Sequence, residues 1–317
     1  MSSPCRMIID VDPGIDDAMA IFYAVRRPAI KLEALTTTFG NTDTAIATDN
    51  ALRVLELLGR PDIPVARGVE RSFIHPYVRR ADHVHGTNAI GDIELPEPKI
   101  RPTDEHASDL IIRMAKESPG EITLCPVGPV TNVALALVKA PEIAKLLRKI
   151  VIMGSTIFHP GIHGPQAPMV DANFANDPEA AHIVLRSGAD TTLVGMDVTM
   201  TTLFSTKMID EVAREGDKAA KTLMRMTEFY LRAYKGMYSD IAGCGLHDPL
   251  AVAVAEDPSL ARTERMFVDV ELHGELTRGQ TIADRRLTAV ARHNADVCMD
   301  IDRPRFLANF LAAIKGR

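Results

Sequence analysis

Over its first two-thirds the chain alternates short apolar runs with amphipathic stretches of helical period, and this rhythm limits the folds open to it. RMIIDV is followed by IDDAMAIFYAVRR, KLEALTTTF by TAIATDNALRVLELLG, and EITLCPVG by VTNVALALVKA. KIVIMGS, DPEAAHIVLRSG and TTLVGMDV continue the series. Such alternation predicts a mostly parallel sheet with helices on both faces, because each parallel return needs a helix-length crossover. KIVIMG, apolar almost throughout, suits a strand buried on both sides. Near the end, ERMFVDVELHGE and NADVCMDID read as strands and RFLANFLAAIKG as a closing helix. With no linker, repeat or low-complexity tract, the expectation is one α/β domain over residues 1–317 with an open central sheet.

Hydrophobic residues make up 46% of the chain, enough for a sizeable core, and the formal net charge is only −6. Without a basic stripe, nothing asks for nucleic acid or an anionic membrane. Arg79 with Arg80, and Arg285 with Arg286, read as solvated surface. The four cysteines (Cys5, Cys125, Cys244, Cys298) form no C-x-x-C pair. They read as reduced thiols of a cytoplasmic protein. No stretch approaches the ~18 apolar residues of a membrane span. Two aperiodic segments, 67–103 and 155–172, are long enough to be functional loops. In an open parallel sheet ligands bind beyond the carboxyl ends of the strands. DPGIDD, TTTFGN and PVGPVTN all fall there.

IIDVDPGIDDAMA carries four aspartates within eight positions. Period-2 alternation points Asp10 and Asp12 to one side, Pro13 and Gly14 turn the chain, and Asp16 and Asp17 enter the first helical turn. A single aspartate there reads as a helix-start carboxylate favoured by the dipole. Four would raise one another's pKa values unless a cation sat among them. Clustered hard oxygens without Cys or His suit Ca²⁺ or Mg²⁺. An alternative is a haloacid-dehalogenase-type phosphatase using Asp10 and Asp12, although Gly14 and the second aspartate pair fit that pattern poorly. A further alternative is a non-catalytic, calcium-stabilised binding protein.

DVDPGIDDAMA resembles the D-x-D-P-G-x-D-D opening of the inosine-uridine-preferring nucleoside hydrolases. TTTFGN, HVHGTNAIGD, PVGPVTNVALAL, IVIMG, NFANDPEAAHIV and LHDPLAVA match in order, from about residue 7 to residue 255. The resemblance implies Ca²⁺-dependent hydrolysis of a ribonucleoside N-glycosidic bond to free base and ribose. A water at the ion is then the nucleophile and Asp12 the general base. It also implies calcium ligation by Asp12, Asp17, Asp248 and the Thr131 carbonyl, with Asp10 supporting. Asp16, Asn41 and Asn173 would contact the sugar, and His247 would protonate the leaving base. His85 and Met153 would line the substrate pocket. Tyr230, Tyr234 and Tyr238 form a stripe at helical spacing that alone reads as core. Position in the family makes Tyr234 and Tyr238 base-pocket candidates. His83 reads as surface. The partner implied is a small ribonucleoside, and the assembly a homodimer or homotetramer.

Three departures gather at one place. Asp171 stands where the family has glutamate, IMGST replaces I-M-G-G, and Pro165 or Gln166 occupies the place of an upstream asparagine. Because Asp is a methylene shorter than Glu, the expectation is an atypical 5′ or base specificity.

Overall fold

The computed structural model describes residues 3–75, 81–158, 170–238, 240–286, 288 and 292–316. Pro165, Gln166, Arg79 and Arg80 lie outside these residues; Arg285 and Arg286 are exposed. The strands are β1 (Cys5–Val11), β2 (Ile30–Thr37), β3 (Val65–Arg67), β4 (Ile122–Pro126), β5 (Lys149–Met153) and β6 (Thr191–Val194). They continue with β7 (Leu203–Ser205), β8 (Gly243–Gly245), β9 (Ala261–Val270), β10 (Thr281–Asp284) and β11 (Ala295–Ile301). The helices begin with α1 (Ile15–Arg26), α2 (Thr44–Leu57), α3 (Asp82–His85), α4 (Ala107–Glu117), α5 (Thr131–Lys139) and α6 (Ile143–Leu146). After these come α7 (Ala172–Asn176), α8 (Pro178–Arg186), α9 (Met196–Thr199), α10 (Thr206–Glu215), α11 (Lys218–Met237), α12 (His247–Glu256) and α13 (Arg303–Lys315).

Nine strands form one sheet in the order β10-β9-β11-β6-β5-β4-β1-β2-β3, while β7 and β8 pair separately. From β11 through β6, β5, β4, β1 and β2 to β3 every pairing is parallel; β9 is antiparallel to both β11 and β10. The expected α/β architecture is therefore what the chain adopts, with an antiparallel margin. Strand alternation divides β1 between two cores. Met7, Ile9 and Val11 pack toward α1, α12 and α13, whereas Ile8 packs with Leu124, Val133 and the α5–α8 layer. All four are fully buried, each worth about 1.5–3 kcal/mol over exposure. A strand so flanked is held in register, which fixes where its last residues emerge.

Short elements escape the sequence pattern. Three-residue strands such as β3 and β7 carry no readable period. The helix α4 is amphipathic and was not anticipated.

A carboxylate-floored pocket at the sheet's carboxyl edge

Beyond the ends of β1, β2, β4 and β5 lies a cavity of about 330 Å³. Asp16, Asn41, His85, Met153, Asp171 and Asn173 line it, and so do Tyr234, Tyr238, His247 and Asp248. Asp10, Asp12, Asp17 and Thr131 are buried and are not among the lining residues. Ten of the anticipated residues thus meet at one cavity, from seven separate segments of the chain.

The aspartate loop forms as its residues dictate. β1 ends at Val11, and α1 starts at Ile15 with Asp16 and Asp17 in its first turn. Asp17 ties the turn: Oδ1 accepts from Asp12 N–H (3.0 Å), and Oδ2 from Gly14 N–H (2.9 Å) and Asn41 Nδ2 (3.1 Å). Asp12 Oδ2 accepts from Asn41 N–H at 2.6 Å. Its carboxylate lies between two glycines. A Cβ on Gly40 would stand 1.9 Å from Oδ2, and one on Gly128 would stand 2.5 Å from Oδ1. Gly40, at φ +155°, also holds a conformation that side chains disfavour. This is why TTTFGN and PVGPVTN need glycine where they meet the first strand.

Asp10 sits apart from the cavity. Its Oδ1 accepts from Thr36 Oγ1 (2.5 Å) and Asn132 Nδ2 (2.8 Å). Asn132 also donates to the Thr37 carbonyl and accepts from Val69 N–H, both at 3.0 Å. Sequence reading passed over Asn132, which sews together the ends of three strands.

The electrostatics are unbalanced. Burial pushes Asp10 up to about 6, and burial with the Asp17 charge pushes Asp16 up to about 7. Burial and then neighbouring aspartates push Asp12 and Asp248 well above the carboxylate range, and burial raises Asp17. Asp12 Oδ1 and Asp16 Oδ1 are buried without a hydrogen-bond partner among the described residues. Oxygens of Asp16, Asp17 and Asp248 can lie within 4.8 Å of one another. Unpartnered hard oxygens converging in a buried site fit a metal ion. The compact trio contains Asp16 rather than Asp12, whose carboxylate is turned toward Asn41.

An aromatic wall rises on the other side. The His85 and Tyr230 rings stack at 5.3 Å, Tyr230 meets Tyr234 edge-on at 4.8 Å, and Tyr238 follows at 5.9 Å. The stripe along α11 is therefore both core and pocket lining. Tyr230 and Tyr234 are buried yet reach the cavity. The surface reading of His83 holds for its exposure, but it stands at the mouth. His85 Nδ1 accepts from Ile15 N–H at 3.1 Å, and burial lowers its pKa to about 3. The ring is therefore neutral, so its 4.0 Å approach to Asp16 is no ion pair.

His247 opens α12 and is buried. Nε2 shares a short hydrogen bond with the Tyr234 hydroxyl, and Nδ1 one of 2.6 Å with Thr199 Oγ1. Tyr230 Oη lies 3.2 Å from both Tyr234 Oη and Asp16 Oδ2. One hydroxyl carries one proton. The arrangement that uses every donor runs from Thr199 to His247 Nδ1, from Nε2–H to Tyr234, then to Tyr230 and Asp16. Burial lowers His247 to about 4, so its imidazole is neutral at pH 7. Tyr230 and Thr199 were missed because only the tertiary fold joins them to His247.

Asp171 caps α7. Oδ1 accepts from Phe174 N–H (3.1 Å) and Oδ2 from Ser155 N–H (2.8 Å), and burial raises it to about 6. Asn173 Nδ2 donates to the carbonyls of Val127 (2.7 Å) and Met153 (3.0 Å).

Carboxylates and aromatic rings thus line one pocket at the carboxyl edge of a parallel sheet, where open α/β sheets bind their ligands. Residues 7–308 match the family described as inosine-uridine preferring nucleoside hydrolase. The chain is 40% identical over 278 residues to "Probable uridine nucleosidase 2" of Arabidopsis thaliana, covering 87% of this chain and 85% of that one. It is 36% identical over 315 residues to the inosine-uridine preferring nucleoside hydrolase of Leishmania major, covering 98% of each. The solved purine-preferring ribonucleoside hydrolase of Gardnerella vaginalis superposes with a TM-score of 0.93 at 39% identity, covering 98% of both chains. The chain belongs to the inosine-uridine preferring nucleoside hydrolase family, N-glycosyl hydrolases that split a ribonucleoside into free base and ribose. The phosphatase alternative is thereby overturned. The geometry agrees, since Asp10 is fully buried and hydrogen-bonded by Thr36 and Asn132.

Proposed function

We propose that the pocket hydrolyses a ribonucleoside with Asp12 as general base and with calcium held by Asp12, Asp17, Asp248 and the Thr131 carbonyl. The observation carrying this reading is the pair of unpartnered buried oxygens, Asp12 Oδ1 and Asp16 Oδ1, the second of them on a residue that lines the cavity. When bound, calcium neutralises the carboxylates and draws ribose hydroxyls and water to them. Asp16 accepts a ribose hydroxyl proton, and Asn41 and Asn173 fix the sugar edge. Asp12, its pKa raised by burial, is a competent base for the attacking water's proton. The remaining carboxylates stabilise positive charge as it grows on the sugar.

The base lies against His85, Tyr234 and Tyr238, with Met153 on the opposite side. In this reading His247 is the acid for the leaving base: it takes up a proton once substrate is bound, and Tyr234 gives its own hydroxyl proton to the base while regaining one from His247 Nε2. This reading includes a cytoplasmic homo-oligomer, a location supported by four free thiols. No helix among the described residues is long and apolar enough to cross a membrane.

The 5′ end is atypical in this reading, because Asp171 is a methylene shorter than glutamate and its carboxylate is held back by the amides of Ser155 and Phe174. The relatives are named for uridine, for inosine and uridine, and for purines, which leaves the base open. Reducing-sugar release from purine, pyrimidine and 5′-modified ribonucleosides, with calcium and with chelator, tests the whole reading. Calcium-dependent release is expected, with 5′-altered substrates tolerated. Equal release under chelator would refute the calcium assignment, and family-typical discrimination at the 5′ position would refute the atypical 5′ end.

A further inference from the structure

Asp177 is fully buried and lies outside the pocket lining, yet three separate segments of the chain converge on it. Oδ1 accepts from Ala180 N–H at 3.1 Å and so caps α8. Oδ2 accepts from the Thr131 hydroxyl at 2.7 Å and from Phe73 N–H at 3.1 Å. The same residue ends α7, the short helix that carries Asp171 at its N-cap and Asn173 within it. One carboxylate therefore joins the first residue of α5, the backbone at Phe73 and the start of α8, at the point where the chain leaves α7. Capping alone needs a single acceptor, which Ser or Asn supplies equally well. The second oxygen goes beyond that need: it fixes Thr131 through its side chain, while the Thr131 carbonyl enters the α5 ladder and keeps its second lone pair.

We propose that Asp177 is a positioning residue for the metal site, holding the Thr131 carbonyl in place through the Thr131 hydroxyl; this rests on the calcium reading above. The carbonyl of a helix's first residue moves with the first helical turn, and a buried hydrogen bond to that residue's side chain anchors the turn. Asp177→Asn keeps a cap oxygen toward Ala180, but its NH₂ is a donor and can accept from neither Thr131 nor Phe73. Thr131→Val deletes the same hydrogen bond from the other side and leaves the carbonyl.

The test is calcium titration of the full chain by calorimetry and by terbium luminescence, with the thermal midpoint of each metal-free variant measured alongside. Calcium affinity is expected to fall about tenfold in Asp177→Asn and in Thr131→Val, and no further in the double variant, since coupled residues are not additive. Thr131→Ser, which keeps the hydroxyl, is expected to bind as the parent does. Folded single variants that bind calcium within twofold of the parent would overturn the proposal, and so would losses that add in the double variant. If Asp177→Asn does not fold, the Thr131→Val and Thr131→Ser pair decides: equal losses in both overturn it, and loss in the valine variant alone supports it. A parent protein that binds no calcium would overturn the metal reading and this inference with it.

Discussion

At its lower end β1 carries Arg6, bonded to Glu33 and Glu121 at 2.5 Å each and to Ser118 Oγ at 3.0 Å. Four residues on, at the upper end, Asp10, Asp12, Asp16 and Asp17 crowd together with no cationic side chain bonded to them among the described residues. Burial pushes Glu33 upward, but its bonds to Lys31 and Arg6 outweigh that and hold it below the ordinary range. Every aspartate above is shifted the other way. The lower end shows how this fold satisfies a charge when satisfaction is all that is needed. The upper end withholds the partner, and a site that keeps such a cost is expected to use it.

The most forceful way to break this contrast is Asp12→Asn. General-base removal should lower kcat by about 10²–10⁴-fold while nucleoside binding, followed by calorimetry, survives. Glu33→Gln, which breaks a lower-end pair of modest worth, about 1 kcal/mol or less, should leave turnover within about twofold. If the two variants behaved alike, the upper carboxylates would be structural like the lower ones.

Chelation sharpens the comparison through pH. A carboxylate raised in the fold takes up protons more readily than in the unfolded chain. Its stabilising contribution is therefore complete below the ordinary value of 3.8 and disappears as pH rises through about 6 for Asp10 and about 7 for Asp16. His85 and His247, depressed by burial to about 3 and about 4, act oppositely, losing stability as pH falls below the ordinary 6.5. The raised carboxylates at the upper end outnumber these two rings. The metal-free protein should therefore have a higher thermal midpoint at pH 5.5 than at pH 7, and calcium should restore stability at pH 7. A midpoint that falls over the same interval without metal would show the carboxylates already satisfied.

How far the upper end could be read beforehand follows from its chemistry. The aspartate loop was legible because a strand, a Pro-Gly turn and a helix start fix four carboxylates locally. His247 and Asp248 were legible as a motif. Tyr230 was not, since a tyrosine at core spacing gives no sign that its hydroxyl ends 3.2 Å from Asp16. Nor were Asn132, Thr199 and Asp177, whose bonds span 46 to 122 positions of chain. Asp171 was read for its reach to the sugar, but it is first of all a helix cap.

Two smaller effects probe the hydroxyl chain and the altered edge. Tyr234→Phe removes the donor between His247 and Tyr230 and should lower kcat about 10-fold or more, with KM changing less; a change in KM alone would make Tyr234 only a stacking surface. Asp171→Glu lengthens the carboxylate past its two backbone amides. It should raise discrimination for the 5′-hydroxyl by several-fold, read as kcat/KM for a ribonucleoside against its 5′-deoxy form. No change would mean that the 5′ end is read elsewhere.

The smallest expected effect concerns Ser155, which donates its N–H to Asp171. It sits at φ +89°, and its buried hydroxyl has no hydrogen-bond partner among the described residues. A side chain in that region costs about 1–2 kcal/mol relative to glycine, and an unsatisfied hydroxyl adds to the cost. Against this, glycine frees the unfolded chain and leaves a gap beside Gly195, whose added Cβ would lie 2.6 Å from the Ser155 hydroxyl. The strain terms are the larger, so Ser155→Gly should stabilise the protein by about 1 kcal/mol, measured by denaturant titration. The Ser155 N–H remains available to Asp171 in that variant, so 5′ discrimination should be unchanged. Destabilisation by the glycine would mean that the hydroxyl is satisfied after all, placing Ser155 with the paired groups of the lower end rather than with the unpaired ones above.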